Sequence, residues 1–151
     1  MSFKILTICT ANICRSPVAQ VVLQKLLNSH AIVHSAGTLA LSGNQADITM
    51  QQIMKEKGFI EIEQHRSQAL LTSVINKYDL LLCMENEHVQ RVQNMNPFAT
   101  AKVKLLGQWN QQVEVTDPFG GPEHAYREAV EHIELLSQQW AKKLMDLGIL
   151  S

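Results

Sequence analysis

No stretch of the 151-residue sequence approaches the roughly 20 consecutive apolar residues needed to cross a bilayer, which excludes a membrane-spanning helix. Met1-Ser2-Phe3-Lys4 enters the first apolar run without a signal-peptide pattern, so the expected location is cytoplasmic, with no membrane insertion. Lys and Arg form no dense run, and a net charge of −1 offers no general attraction to nucleic acid or to an anionic membrane. Cysteine is scarce. Cys9, Cys14 and Cys83 are an odd number without a secretion signal, which argues against a disulfide framework. Their spacing supplies no zinc ligand set, and the pairs His30 and His34, Glu85 and His88, and His124 and His132 form no metal motif. Neither a metal nor an organic cofactor is expected. There is also no internal repeat and no interdomain linker.

What is present is an ordinary globular composition, with 46% hydrophobic and 18% charged residues, long enough to bury a continuous core as one domain over 1–151. Phe3 to Ile8 is a nearly continuous apolar run, as in a strand covered on both faces. From Val18 to Leu27 the apolar positions shift to helical spacing. A second strand is expected at Ile32 to Ser35, then a helix capped by Asp47 and stopped at Gly58. "YDLLLCME", Tyr78 to Glu85, reads as a third strand, a polar helix runs toward Asn94, and "KVKLL" near Val103 gives a fourth strand. Ala125, Ala129, Ile133, Leu136, Trp140 and Leu144 mark one face of a long last helix begun near Pro122 and Glu123. Strands alternating with helices imply right-handed crossovers, hence a three-layer α/β/α sandwich around a four-stranded parallel sheet.

In such sheets ligands bind beyond the carboxyl ends of the strands, and the first such end is Cys9. Thr10, Ala11, Asn12, Ile13 and Cys14 lead to Arg15, and the next helix is expected to start with Ser16 as N-cap and Pro17 as first helical residue. Free N–H groups of that terminus and of a curled loop would suit a phosphate-like dianion, with Arg15 forking onto two of its oxygens. The same surroundings favour a cysteine thiolate. Cys-x5-Arg by itself is a weak signal, and Cys9 as a packed apolar residue with Arg15 in a surface ion pair is an equal alternative on spacing alone. A second signal is "EVTDPFGGPE", which places Asp117 after the fourth strand. Asp117 can protonate a departing oxygen, and Phe119 can meet an aromatic substrate; a simple Asp-Pro turn is the plainer alternative.

"CTANICRSP" after the first strand, "HSAGT" at His34 to Thr38, "YDLLLCME" and "DPF" before the last helix follow in order along the whole chain. With these motifs the chain resembles the low-molecular-weight protein tyrosine phosphatases, particularly the bacterial type associated with exopolysaccharide or capsule production. The resemblance implies a phosphocysteine mechanism with Cys9 as nucleophile, Arg15 as transition-state clamp and Asp117 as general acid and base. It further implies that Asn12, Ser16, Ser35 and His65 brace the phosphate loop; the Ser16 hydroxyl has two competing roles, capping the helix or hydrogen-bonding the Cys9 thiolate as leaving group. The implied partners are a phosphotyrosine protein, by family analogy an autophosphorylated bacterial tyrosine kinase of polysaccharide export, and inorganic phosphate or a similar oxyanion.

The sequence departs from the family at Ala11, where glycine is usual, at Gln20, where glutamate is usual, and at Gln68, where arginine is usual. If the loop requires positive φ or very close phosphate approach at Ala11, its methyl adds strain or shifts the oxyanion and lowers activity without abolishing it. Leu39 and Leu41 would line the entrance with aliphatic side chains, or pack in the core. Cys14 is near enough in sequence to Cys9 for a reversible disulfide, or is simply a packing residue. Three other readings share the loop: an arsenate reductase, for which Cys83 lacks a nearby downstream partner; a phosphocarrier domain; and a weakly active phosphotyrosine-binding module.

Overall fold

The computed structural model describes residues 2–150. Strand β1 (Phe3–Cys9) leads into helix α1 (Arg15–Leu27), and β2 (Ala31–Gly37) is followed by α2 (Ile48–Glu56) and the short α3 (Thr72–Ile75). Then come β3 (Leu80–Cys83), α4 (Asn86–Met95), β4 (Val103–Leu105) and the long α5 (Glu123–Asp146). The sheet is parallel throughout with order β2-β1-β3-β4. This is the expected three-layer α/β fold.

The period of two along β1 explains why its sequence is apolar throughout. Ile5 and Cys9 face a core shared with Val18, Val22 and Leu23 of α1 and with Ile133, Leu136 and Trp140 of α5. Leu6 and Ile8 face the opposite core, with Ile75 of α3 and Val92 of α4. Leu80 and Leu82 of β3 join the first core, and Leu81 and Cys83 join the second. The chain leaves β1 for β2 on one side while β3 lies on the other, so the carboxyl ends of β1 and β3 flank the crevice where open parallel sheets bind ligands.

Asp47 caps α2 as expected, accepting from Met50 N at 3.1 Å, and Gly58 follows that helix at φ +89°. The start of α1 differs from expectation. The helix begins at Arg15 after Cys14, so Ser16 is its second residue and Pro17 its third. Proline remains compatible there because the N–H groups of the first turn have no intrahelical acceptor, and the Ser16 hydroxyl is engaged elsewhere. β2 runs on to Gly37, and β3 is shorter than "YDLLLCME", although Asp79 N–H and Met84 N–H on either side of it still donate across to Lys4 O and Ile8 O of β1.

Gly37 ends β2 directly against the loop that follows β1. A Cβ at this position would lie 2.5 Å from Thr10 O and 3.0 Å from Asn12 N, so only glycine permits the approach. Gly37→Ala is therefore expected to lower stability by about 1–3 kcal/mol in urea unfolding and to displace residues 10–13 in a crystal structure of the variant. Unchanged stability with an undisplaced loop would show that the contact does not constrain it.

Candidate active site

β1 brings Cys9 to the carboxyl edge of the sheet, where it is 3% exposed, and the chain curls through residues 10–14 into α1. The curl is pinned at Asn12, a fully buried residue at φ 59°, in the left-handed region that asparagine tolerates better than most residues. Gln68 N–H, which can only donate, bonds Asn12 Oδ1 at 2.9 Å and so directs Asn12 Nδ2 to Ser16 Oγ at 2.7 Å. Ser16 Oγ thus accepts from Asn12, and its single hydrogen is free for Cys9 Sγ at 2.9 Å, with Ala36 O a more distant acceptor at 3.5 Å. The Asn12 carbonyl accepts from His65 Nε2 at 2.6 Å, which fixes the imidazole proton on Nε2. Among the described residues, the backbone N–H groups of Ala11 to Cys14 donate to no other protein atom and remain available to an oxyanion.

Arg15 lies beneath this curl, 2% exposed. Its NH1 donates to Glu85 Oε1 at 2.5 Å and to Val115 O at 2.8 Å, while NH2 is 3.7 Å from Asp117 Oδ2. A buried guanidinium needs such partners, and here they also fix its plane. Glu85 serves twice, because its carboxylate also accepts from the backbone of His88 in a capping box at the start of α4. His88 in turn accepts Glu85 N–H on Nδ1 at 3.1 Å, so its Nε2 carries the proton and donates to Thr10 Oγ1 at 2.9 Å.

Asp117 is half exposed on the loop between β4 and α5, and its Oδ1 accepts from Phe119 N at 3.1 Å in a local turn. Asp47 and Tyr126 tie this loop to the first. Asp47 N donates to Ile13 O at 2.8 Å, Tyr126 O–H donates to Asp47 Oδ2 at 3.3 Å, and Gly120 N–H donates to Tyr126 Oη at 3.3 Å. Burial, reinforced by Asp47, pushes the Cys14 thiol far up, so Cys14 is held as a neutral thiol. All three cysteines are free.

The structure thus brings Cys9, Thr10, Asn12, Arg15, Ser16, His65 and Asp117 together through hydrogen bonds and ion pairs at the carboxyl edge of the sheet. Ser35 does not join them. Its hydroxyl donates to Gln20 Oε1 at 2.5 Å, because Gln20 of α1 reaches it first, and it meets the loop only through Gln68, whose Nε2 donates to Ser35 O. Strain at Ala11 is likewise absent, since the left-handed residue is its neighbour Asn12 and Ala11 itself is exposed. Ile13 is half-buried and packs on the core under the loop. Leu39, Leu41 and Phe119 are exposed, which rules out core packing, and Leu39 N is bonded to Thr10 O at 2.9 Å, placing that residue on the rim. Glu85, His88, Gln20, Gln68 and Tyr126 take places in the site that no sequence motif above marks. Glu85 and His88 were accessible as an N-terminal Glu-x-x-His pair after a buried strand; the others required the tertiary fold. Among the described residues, no cluster of three His, Cys, Asp or Glu side chains is placed to hold a metal ion.

Residues 4–147 match the family described as low molecular weight phosphotyrosine protein phosphatase. The chain is 37% identical over 141 residues to the low molecular weight protein-tyrosine-phosphatase Etp of Escherichia coli K12, covering 93% of this chain and 94% of the relative. The structure of Vibrio vulnificus Wzb in complex with benzylphosphonate is 38% identical, with a TM-score of 0.90 over 95% of this chain and all of that one. The YwlE arginine phosphatase of Geobacillus stearothermophilus is 34% identical, with a TM-score of 0.91 over 97% of this chain and 96% of that one.

Burial lowers the pKa of both His65 and His88 from 6.5, and burial lowers that of His34 too. The folded state therefore favours the neutral imidazoles. Their stabilising contribution is complete above about pH 6.5 and is lost as pH falls from there through the lowered folded values. The urea midpoint is expected to decline on acidification below pH 6.5, and more shallowly in His65→Gln, where the amide can still donate to Asn12 O but does not titrate. Identical pH slopes in wild type and variant would remove His65 from this linkage.

Proposed function

The chain belongs to the low molecular weight phosphotyrosine protein phosphatase family, and we propose that it hydrolyses phosphotyrosine through a phosphocysteine formed on Cys9. The observation that carries this reading is the Ser16 hydroxyl 2.9 Å from Cys9 Sγ, with its hydrogen left to the sulfur by the Asn12 amide. The phosphoryl oxygens lie against the free N–H groups of Ala11 to Cys14 and the Arg15 guanidinium, which meet charge as it spreads in the transition state. Cys9 Sγ attacks phosphorus, the bond to the phenolic oxygen breaks, and the Asp117 carboxyl hands its proton to that oxygen. In the second step the Asp117 carboxylate takes a proton from water as the water oxygen bonds to phosphorus. The S–P bond then breaks, inorganic phosphate leaves, and the departing thiolate accepts the Ser16 hydrogen bond.

Asp117 suits this exchange because it is half exposed and close to Arg15 NH2, so that it reaches both solvent protons and the bound phosphoryl group. Phe119, 61% exposed beside it, offers a ring to an aryl substrate. We read the chain as a single cytoplasmic catalytic domain whose target, as the resemblance to the exopolysaccharide-associated bacterial type implies, is a bacterial tyrosine autokinase of polysaccharide export. The likeness to an arginine phosphatase supports phosphoarginine as a second reading, which a direct comparison of the two phosphopeptides would decide. Cys83 counts against arsenate reduction: it is wholly buried in the core on the opposite face of the sheet from Cys9, and burial pushes its thiol up.

With aryl phosphates, Cys9→Ser is expected to abolish turnover. Asp117→Ala should lose on the order of 10²- to 10⁴-fold with poor leaving groups and markedly less with good ones, since protonation matters most for the former. Undiminished turnover in Cys9→Ser would overturn the mechanism, and equal losses across leaving groups would remove Asp117 from its role.

A further inference from the structure

A cavity of about 440 Å³ lies behind the phosphate cradle, against the outer edge of β2, and its floor is backbone. The register of β2 on β1, with Thr38 N bonded to Cys9 O, turns the N–H and C=O groups of residues 32, 34 and 36 inward and those of 31, 33, 35 and 37 outward. The outward groups are covered by glutamines. The Gln24 carboxamide donates to Ala31 O and accepts from Val33 N, both at 2.9 Å, and so stands in for a strand residue opposite Ile32. Gln68 does the same opposite Ala36, with Nε2 on Ser35 O and its own carbonyl on Gly37 N.

Between these two substitutes one register is left open. Among the described residues, Val33 C=O and Ser35 N–H have no partner, although the two residues are only 2% and 4% exposed and line the cavity. Buried backbone groups are rarely left unpaired. A continuous strand cannot satisfy them, because the neighbouring registers are occupied. A single carboxamide can, as Gln24 does one step below: its N–H donates to Val33 O and its C=O accepts from Ser35 N–H. The cavity wall also carries Lys25, which reaches Gly58 O and the Phe59 ring, Arg66, whose NH1 is held by His65 O, and Glu61; the other N–H groups of the two cations and the Glu61 carboxylate suit the carboxylate and ammonium of a free amino acid.

We propose that this cavity is a binding site for a small zwitterionic carboxamide, of which free glutamine is the simplest probe. The slot requires a donor facing Val33 O, so glutamate, of nearly the same shape but with an oxygen in place of the NH₂ group, leaves that acceptor unpaired. The site lies outside the catalytic cradle, and its existence does not depend on the phosphatase reading.

The test is titration of the ¹⁵N-labelled full chain with L-glutamine and, separately, L-glutamate, followed by amide chemical shifts. Glutamine is expected to move the Ser35 and His34 amides saturably, with glutamate binding at least about tenfold more weakly. Gln64→Trp, an exposed substitution on the cavity wall, is expected to weaken glutamine binding at least about tenfold while aryl phosphate hydrolysis stays at the wild-type level. The absence of a saturable Ser35 shift, or equal binding of glutamine and glutamate to wild type, would overturn the proposal. So would glutamine shifts unaffected in a folded Gln64→Trp protein.

Discussion

The carboxyl edge of the sheet depends on the direction of one carboxamide, that of Asn12. Because a backbone N–H from Gln68 fixes its oxygen, its nitrogen must face Ser16, and the Ser16 hydrogen is then left to Cys9. The same residue takes the left-handed bend of the loop and gives its carbonyl to His65. Three bonds on one buried side chain and its backbone thus join the loop after β1, α1 and the segment before α3. Removing any one partner leaves a buried polar group unsatisfied, which costs more than the bond itself contributes.

Charge forms the second constraint. A guanidinium 2% exposed is tolerated only because Glu85 and Val115 O meet it, and Glu85 is itself held by the N-terminal turn of α4. The position of Arg15 is therefore set jointly by the ends of β1 and β3 and by the segment after β4. Asp117 approaches the remaining nitrogen at 3.7 Å and stays half exposed. Asp47 and Tyr126 keep its loop in register with the loop after β1, so Arg15, the free N–H groups of that loop and Asp117 are held by one hydrogen-bonded frame.

Much of this was legible in the sequence where local physics decides the outcome. β1 and β3 read as buried strands because both faces are covered, and Asp47, Gly58 and the face of α5 follow capping and helical spacing. Cys9, Arg15 and Asp117 were recognisable because each follows or ends a strand at the carboxyl edge. Failures came where side chains had to choose among distant partners. Of the two competing roles open to Ser16, capping α1 or bonding Cys9, its hydroxyl takes the second, with Asn12 as its donor; Ser35 was expected to brace the loop, but its hydroxyl meets Gln20. Strain at Ala11 was conditional on a positive φ there, and the left-handed bend falls one residue later, at Asn12. No periodicity marks the glutamines that cover the edge of β2, since their role exists only once β2 is an edge.

The central claim is that the network around Asn12 and Ser16 makes the Cys9 sulfur a transient phosphoryl carrier. Its most direct measurement is rapid-quench mass spectrometry of wild type and Ser16→Ala during turnover of an aryl phosphate. A phosphoryl adduct confined to Cys9 is expected in both, and a larger fraction of it in Ser16→Ala, where the leaving thiolate has lost its hydrogen-bond donor. Turnover without an adduct on Cys9 in either protein would contradict the account.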